Sequence, residues 1–311
     1  MHDATSLFGL DAARFIGMID QLALSKTKTR YLFTSAEDYA RIIREDRSRG
    51  MQIYWGEILA RTHMASVIAI LRSRHWISAI VAATKEKNLL LFAAAFRGLI
   101  ESSADTSSSL GSIPHTFARD HADINSALSG RLGKRIVIAR EIEDELIHFS
   151  HARRLTKAEL ATTPHSHMAR SIRDYIDILE KGQVHDVVAC YQSLCDLTHP
   201  GACSVWMWLT STSDLEFELE PNQNESEIAY YLTEYRKTFL QLLMFSFNPA
   251  LLTLKVLNYF PLRTFHTSQL LNWDLSGIPI WKKCEREFGG ALPNAREGLK
   301  RVKSNSPLSG L

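Results

Sequence analysis

Arg97 and Glu101 stand one helical turn apart in a segment, Leu89-Leu-Leu-Phe-Ala-Ala-Ala-Phe-Arg-Gly-Leu-Ile-Glu101, whose first eight residues are apolar all round. A guanidinium in such a helix is costly unless a carboxylate meets it, and Glu101 at i+4 is spaced to do so. Asp105 follows one turn later, and Gly98 beside the arginine leaves room for a second backbone or a ligand. In a later segment Val184, Val188, Tyr191 and Cys195 form an apolar line that His199 closes, just before Pro200-Gly201. If the two segments meet, Arg97 would hold a phosphate and His199 would shuttle a proton, the two roles an RNA-cleaving site requires. The other reading of Arg97, Glu101, Tyr191 and His199 is a polar network that holds two core helices in register. Both readings expect Arg97, Glu101 and His199 in one cluster.

Two further groups resemble metal ligands, and their spacing argues against that role. Cys190, Cys195, His199 and Cys203 could be taken for a zinc set. On a helix, however, Cys190 and Cys195 diverge by about 140°. They read as small core residues and free thiols of a reducing compartment. Glu145-Leu-Ile-His148 and Asp196-Leu-Thr-His199 have the Glu/Asp-x-x-His spacing of di-metal bundles, with Glu101 as a conceivable bridging carboxylate. The apolar stripe of that first helix is expected to be Ile138, Ile142, Leu146 and Phe149, which turns His148 toward solvent with Glu141 and Glu145. No metal and no cofactor are therefore expected. The chain has no Gly-rich phosphate loop and no Gly-x-Ser-x-Gly elbow.

Helices must position these residues. The 311-residue chain has only 9 prolines, the first at Pro114, and its opening stretch is rich in Ala, Leu and Ile. Helices are predicted over Asp11–Leu24, from a Thr34–Glu37 capping box to a stop at Gly50, and over Met51–Lys87 as one long or two stacked helices. More follow over 89–108, 116–128, 134–153, 169–181, 184–199 and from 226 to Asn248-Pro249, with a further segment to Tyr259. Between Ser204 and Leu219 the texture becomes β-branched, aromatic and alternating, which predicts an antiparallel hairpin with Glu216 and Glu218 facing water. The expected fold is an all-α multi-helix bundle with one small β-hairpin. Its organisation reads as residues 1–260 for the bundle and 261–311 for short helices around Trp273 and Trp281 that end in a frayed tail from Lys303.

A formal net charge of +2 and 23% charged residues describe an ordinary soluble protein, neither a nucleic-acid coat nor an acidic tail. Segments 64–84 and 239–260 are apolar but carry Arg72, Arg74 and His75, or Gln241 and Lys255, and read as buried helices rather than membrane spans. The opening residues lack the basic and apolar regions of a signal peptide, so a cytoplasmic location is expected.

The Arg97-Gly-Leu-Ile-Glu101 helix, the later Tyr191…His199-Pro200 helix end and the strand pair after it resemble an uncharacterised bacterial all-helical family, a domain of unknown function. The resemblance covers the middle third of the chain and implies a helical bundle without naming a reaction. The chain also resembles, more distantly, the HEPN ribonucleases of toxin and antiviral systems. Those pair an Arg with a His four to six positions on, whereas Arg140 to His148 here is longer and Arg119 to His121 shorter. Two functions are thus expected: a helical interaction or structural module of a bacterial system, with a protein partner or a second copy, or a helical effector of a defence or toxin system. The effector would be a metal-independent ribonuclease taking nucleic acid at Arg97, Glu101, Tyr191 and His199.

Overall fold

The computed structural model describes residues 5–289 apart from Ser6, Thr27, Pro221 and Asn222, so the tail from Lys303 to Leu311 lies outside the described residues. The fold is all-α, and a two-stranded antiparallel hairpin is the only sheet among the described residues. The helices are α1 (Leu10–Lys26), α2 (Ala36–Glu45), α3 (Arg47–Lys85), α4 (Leu89–Leu110), α5 (Ile113–Arg119), α6 (His121–Leu128) and α7 (Arg140–His151). Then come α8 (Ile172–Lys181), α9 (Val187–Thr198), α10 (Ala202–Trp206), strands β1 (Leu209–Ser213) and β2 (Glu216–Leu219), α11 (Gln223–Glu234), α12 (Arg236–Leu257) and α13 (Pro279–Glu287). The chain folds as two compact units. The first takes the described residues of 1–28, 67–109 and 151–248, the second those of 29–66, 110–150 and 249–311.

The first unit is organised on α4. Phe92 and Phe96 are fully buried, and Phe239 meets Phe96 edge-on at 5.8 Å and stacks on Phe8 at 4.2 Å. Apolar all round in sequence, the first half of α4 is nevertheless not covered on every side: Leu90, Leu91 and Ala94 form an exposed strip. Ala and Leu carry no signal that tells an exposed helical position from a buried one, since both are strong helix formers. Gly98 is a point of close approach, as expected: an added Cβ would lie 2.6 Å from Cε2 of the Trp76 indole on α3. Farther along α4, buried Ser103 and Ser246 of α12 share a hydroxyl–hydroxyl hydrogen bond of 2.6 Å, so small polar residues line that helix contact.

The second unit packs Phe117 edge-on against Phe260 and stacks Tyr259 on Phe288 at 3.9 Å. Lys255, buried in this unit, reaches the Trp273 carbonyl at 2.5 Å and lies 4.8 Å from the Trp281 ring centroid. One ammonium thus organises the region around the two tryptophans. Burial draws its pKa below that of an ordinary lysine.

Helix boundaries depart from the sequence reading for identifiable reasons. The N-cap of α2 is Ser35, whose hydroxyl accepts the Asp38 N–H, because the Thr34 N–H is committed to Glu57 Oε1 at 2.6 Å. That helix ends at Glu45 with Asp46 as its C-cap, and α3 runs unbroken through Gly50, where an added Cβ would meet Ile43 at 2.7 Å. The glycine permits a close approach and is no stop. The predicted 116–128 helix is two, meeting at Asp120. Helix α7 begins at Arg140 rather than 134, because Trp55 Nε1 donates to the Val137 carbonyl and the Ala139 N–H donates to Tyr54, which holds the β-branched run outside the helix. Consequently Ile138 is exposed, and His148, expected in solvent, is 7% exposed beside buried Ile142 and Leu146. Helix α12 continues through Pro249 to Leu257. Burial of Phe247, Ala250, Leu251 and Leu252 outweighs the hydrogen bond that proline deletes. Ser204 to Trp206, expected in a strand, belongs to α10, and the hairpin begins at Leu209.

By length and composition α3 and α12 could each cross a membrane; 44% of the most apolar stretch of α3 and 67% of that of α12 is buried within the protein.

Gly98→Ala is expected to destabilise the protein by about 1–2 kcal/mol, the overpacking against Trp76 exceeding the roughly 1 kcal/mol gain in helix propensity. Urea unfolding of the single variant, and of Gly98→Ala with Trp76→Leu, checks this: the second substitution should recover much of the loss.

Candidate functional site: the polar row of α4

Arg97, Glu101 and Asp105 recur every fourth residue and form a row along one face of α4. Helix α9 answers the first two. Arg97 donates through Nη1 to the Thr198 hydroxyl at 2.6 Å and through Nη2 to the Tyr191 hydroxyl at 3.3 Å. The Tyr191 hydroxyl in turn donates to Glu101 Oε1 at 2.7 Å. The phenol therefore accepts from the cation and gives its proton to the anion, bridging a pair that makes no direct ion-pair contact. The guanidinium carbon also lies 5.3 Å from the Tyr191 ring centroid, within cation–π range. Thr198 is held by its own hydroxyl, which donates to the Leu194 and Cys195 carbonyls.

Asp105, buried, closes the row. Arg72 on α3 meets its Oδ2 at 2.6 Å, and the Tyr175 hydroxyl on α8 donates to Oδ1 at 3.4 Å. Sequence reasoning met Arg72 only as a charge that disfavoured a membrane span. An arginine embedded in Ile, Leu and Ala at that point was already a sign that a neighbouring helix holds a carboxylate.

The structure thus brings together Arg97, Glu101 and Tyr191, with His199 left out. His199 is exposed and is the C-cap of α9, its backbone extended (φ −90°, ψ 144°) ahead of Pro200. The buried stripe of α9 is Val187, Cys190, Tyr191, Leu194 and Leu197, not the line through 184, 188, 195 and 199. That rotation carries Thr198 to Arg97 and turns Cys195 and His199 away from the stripe. The expected cluster of Arg97, Glu101 and His199 is corrected accordingly: a threonine occupies the histidine's place. Thr198, Arg72 and Tyr175 were the residues that sequence reasoning missed.

Electrostatics fit a settled network. Burial works against the Arg97 charge, but the Tyr191 hydrogen bond and nearby negative groups outweigh it and hold the guanidinium above the usual arginine range. Burial, and then the hydrogen bond to Glu101, push the Tyr191 phenol up despite Arg97. Burial and the Asp105 charge push Tyr175 up to about 12. Neither phenol is depressed toward neutrality, as a general base or nucleophile would be. Cys190 is buried and its thiol pushed up by burial, whereas Cys203 is exposed. Among the described residues no three His, Cys, Asp or Glu side chains group as metal ligands.

No family model, curated protein or solved structure matches this chain.

Removing either partner should cost the same hydrogen bond. Arg97→Ala and Tyr191→Phe are each expected to destabilise the protein by about 1–2 kcal/mol, a part-exposed cluster falling below the 3–5 kcal/mol of a fully buried pair. The double variant should lose about 0.5–1.5 kcal/mol less than the sum, read from a urea-unfolding cycle. Raised phenols also set a pH dependence. A folded pKa above the unfolded value near 10 contributes stability that is full below pH about 10 and is lost as pH rises toward the folded pKa. Unfolding free energy should thus be flat in these groups through neutrality and fall above pH about 10, less steeply in Tyr191→Phe.

Proposed function

We propose that this chain is a cytoplasmic helical interaction module, in which the Arg97 network is architecture and the exposed hairpin is the contact surface. The observation that carries this reading is that each Nη atom of Arg97 already donates to a hydroxyl of α9. Nη1 meets Thr198, Nη2 meets Tyr191, and Glu101 is tied through the same phenol. A phosphate-binding arginine would keep those donors for ligand. The ribonuclease alternative also relied on His199 beside Arg97, where Thr198 stands instead.

Support for the contact surface comes from the hairpin itself. Leu209 pairs with Leu219 and Ser211 with Phe217, so Phe217 and Leu219 share one face while Glu218 lies on the other. Both strands are exposed throughout their length except for half-buried Leu209. Trp206 packs edge-on against Phe217 at 5.0 Å, yet both remain exposed, and Leu219 is 75% exposed. From Ser204 to Glu220 the only charged residues are Asp214, Glu216, Glu218 and Glu220, with no Lys or Arg. An acidic, apolar, exposed two-stranded ladder fits an extended basic segment of another protein, added as a third strand. A second copy of the hairpin would bring carboxylates against carboxylates.

A fluorescently labelled peptide of alternating Lys and Val tests this by anisotropy. It should bind the full chain, with affinity reduced at least about tenfold by Glu216→Lys with Glu218→Lys, and a Glu/Val peptide should not bind. Equal binding of both peptides, or unchanged binding by the double variant, would defeat the reading. Cleavage of a labelled RNA by the wild-type chain, abolished in His199→Ala with the fold intact, would replace it with the effector.

A further inference from the structure

The second unit holds a cavity of about 340 Å³ between α2, the first part of α3 and α7. On α3 the residues Tyr54, Glu57 and Arg61 recur at helical spacing and face it together, with Ile58 supplying apolar wall. Helix α2 adds Tyr39, and α7 adds Glu143 and Leu146. The volume lies near the lower end for small-molecule sites, and the lining sets the apolar wall of Ala36, Ile58, Leu146 and Ile147 against seven polar or charged side chains.

The charges in this cavity are unequally matched. Glu57 is committed, accepting the Thr34 N–H through Oε1 and facing Arg61 at 3.8 Å through Oε2. Arg61 is committed too, lying 4.3 Å from the Phe33 ring centroid. Glu143 has no such counterion: among the described residues no Lys, Arg or His forms an ion pair with it. Its neighbours are the two phenols. Burial, with the Glu143 charge contributing, pushes Tyr54 up to about 12 and raises Tyr39, so both rings stay neutral and electron-rich. One carboxylate, hydrogen-bonded to the Tyr54 side chain and set beside two tyrosine rings and an aliphatic wall, lacks a positive charge.

We propose that this cavity binds a small organic cation, an ammonium group on an apolar or aromatic body. The ammonium sits against Glu143 with the tyrosine rings contributing cation–π attraction, and the body lies along Ile58 and Leu146. An anion is disfavoured, because the one arginine in the lining already faces Glu57 and Phe33.

The test is calorimetric titration of the full chain with phenethylamine and with benzyltrimethylammonium, using benzoate and benzyl alcohol as controls of matched body. The two cations should bind saturably and in competition with each other, and the controls should not displace them. Glu143→Gln keeps the side-chain size and one acceptor oxygen while removing the charge, and it should weaken both cations at least about tenfold, one charge-assisted contact at about 1.4 kcal/mol per decade. Should Glu143→Gln fail to fold, Tyr39→Leu serves in its place, and it should weaken the quaternary ion more than the primary amine, since the quaternary ion donates no hydrogen bond. Absence of binding by the wild-type chain, equal binding of benzoate or benzyl alcohol, or cation affinity unchanged in Glu143→Gln would each overturn the assignment.

Discussion

The polar row of α4 is the constraint on which the first unit depends. A helix that buries Phe92, Phe96, Leu99 and Ile100 would pack against apolar neighbours in many rotations and registers with similar energy. Arg97, Glu101 and Asp105 remove that degeneracy, because each needs a partner at one height and one angle. Tyr191 and Thr198 fix α9 to the first turn of the row, while Arg72 and Tyr175 fix α3 and α8 to the last. Apolar burial supplies most of the driving force for packing, and these few polar contacts choose among the packings it would allow.

A phenol between an arginine and a glutamate is chemically different from a direct ion pair. Tyr191 keeps the charges apart, satisfies both with one hydroxyl, and adds its ring face to the cation. The arrangement spares the carboxylate and guanidinium full mutual desolvation, which is the main penalty of buried ion pairs. It also explains why a threonine suffices at the end of α9. The Nη1 donor that faces α9 needs only a neutral acceptor, and Thr198 passes its own proton to the backbone of its helix.

How much of this was legible in the chain differs from residue to residue. The helical class, the hairpin and the burial of Phe92 and Phe96 follow from periodicity and composition, which report directly on which surfaces avoid water. Arg97, Glu101 and Tyr191 were visible as a group because a charge in an apolar run demands compensation. His199 was misassigned because the stripe of α9 was read one step out of phase, and an error of about 100° per residue decides whether a side chain meets its target. His148 was misplaced for a related reason: the run Ile136-Val137-Ile138 was counted into the helix, although backbone bonds to Trp55 and Tyr54 hold it outside. The cavity of the second unit left only a faint trace, Tyr54, Glu57 and Arg61 on one face of α3, because Tyr39 and Glu143 come from helices distant in sequence.

The hairpin has a consequence of a dynamic kind. Its ladder carries no core on either face, so its opening exposes little apolar surface that was not already exposed. Two strands alone are marginally stable in water. The segment should therefore breathe independently of the helices, its amides exchanging with solvent by local excursions while α4 and α9 exchange only on global unfolding. A binding surface of that sort carries an entropic tax on every encounter, and in return it can adjust its twist to strands of differing sequence.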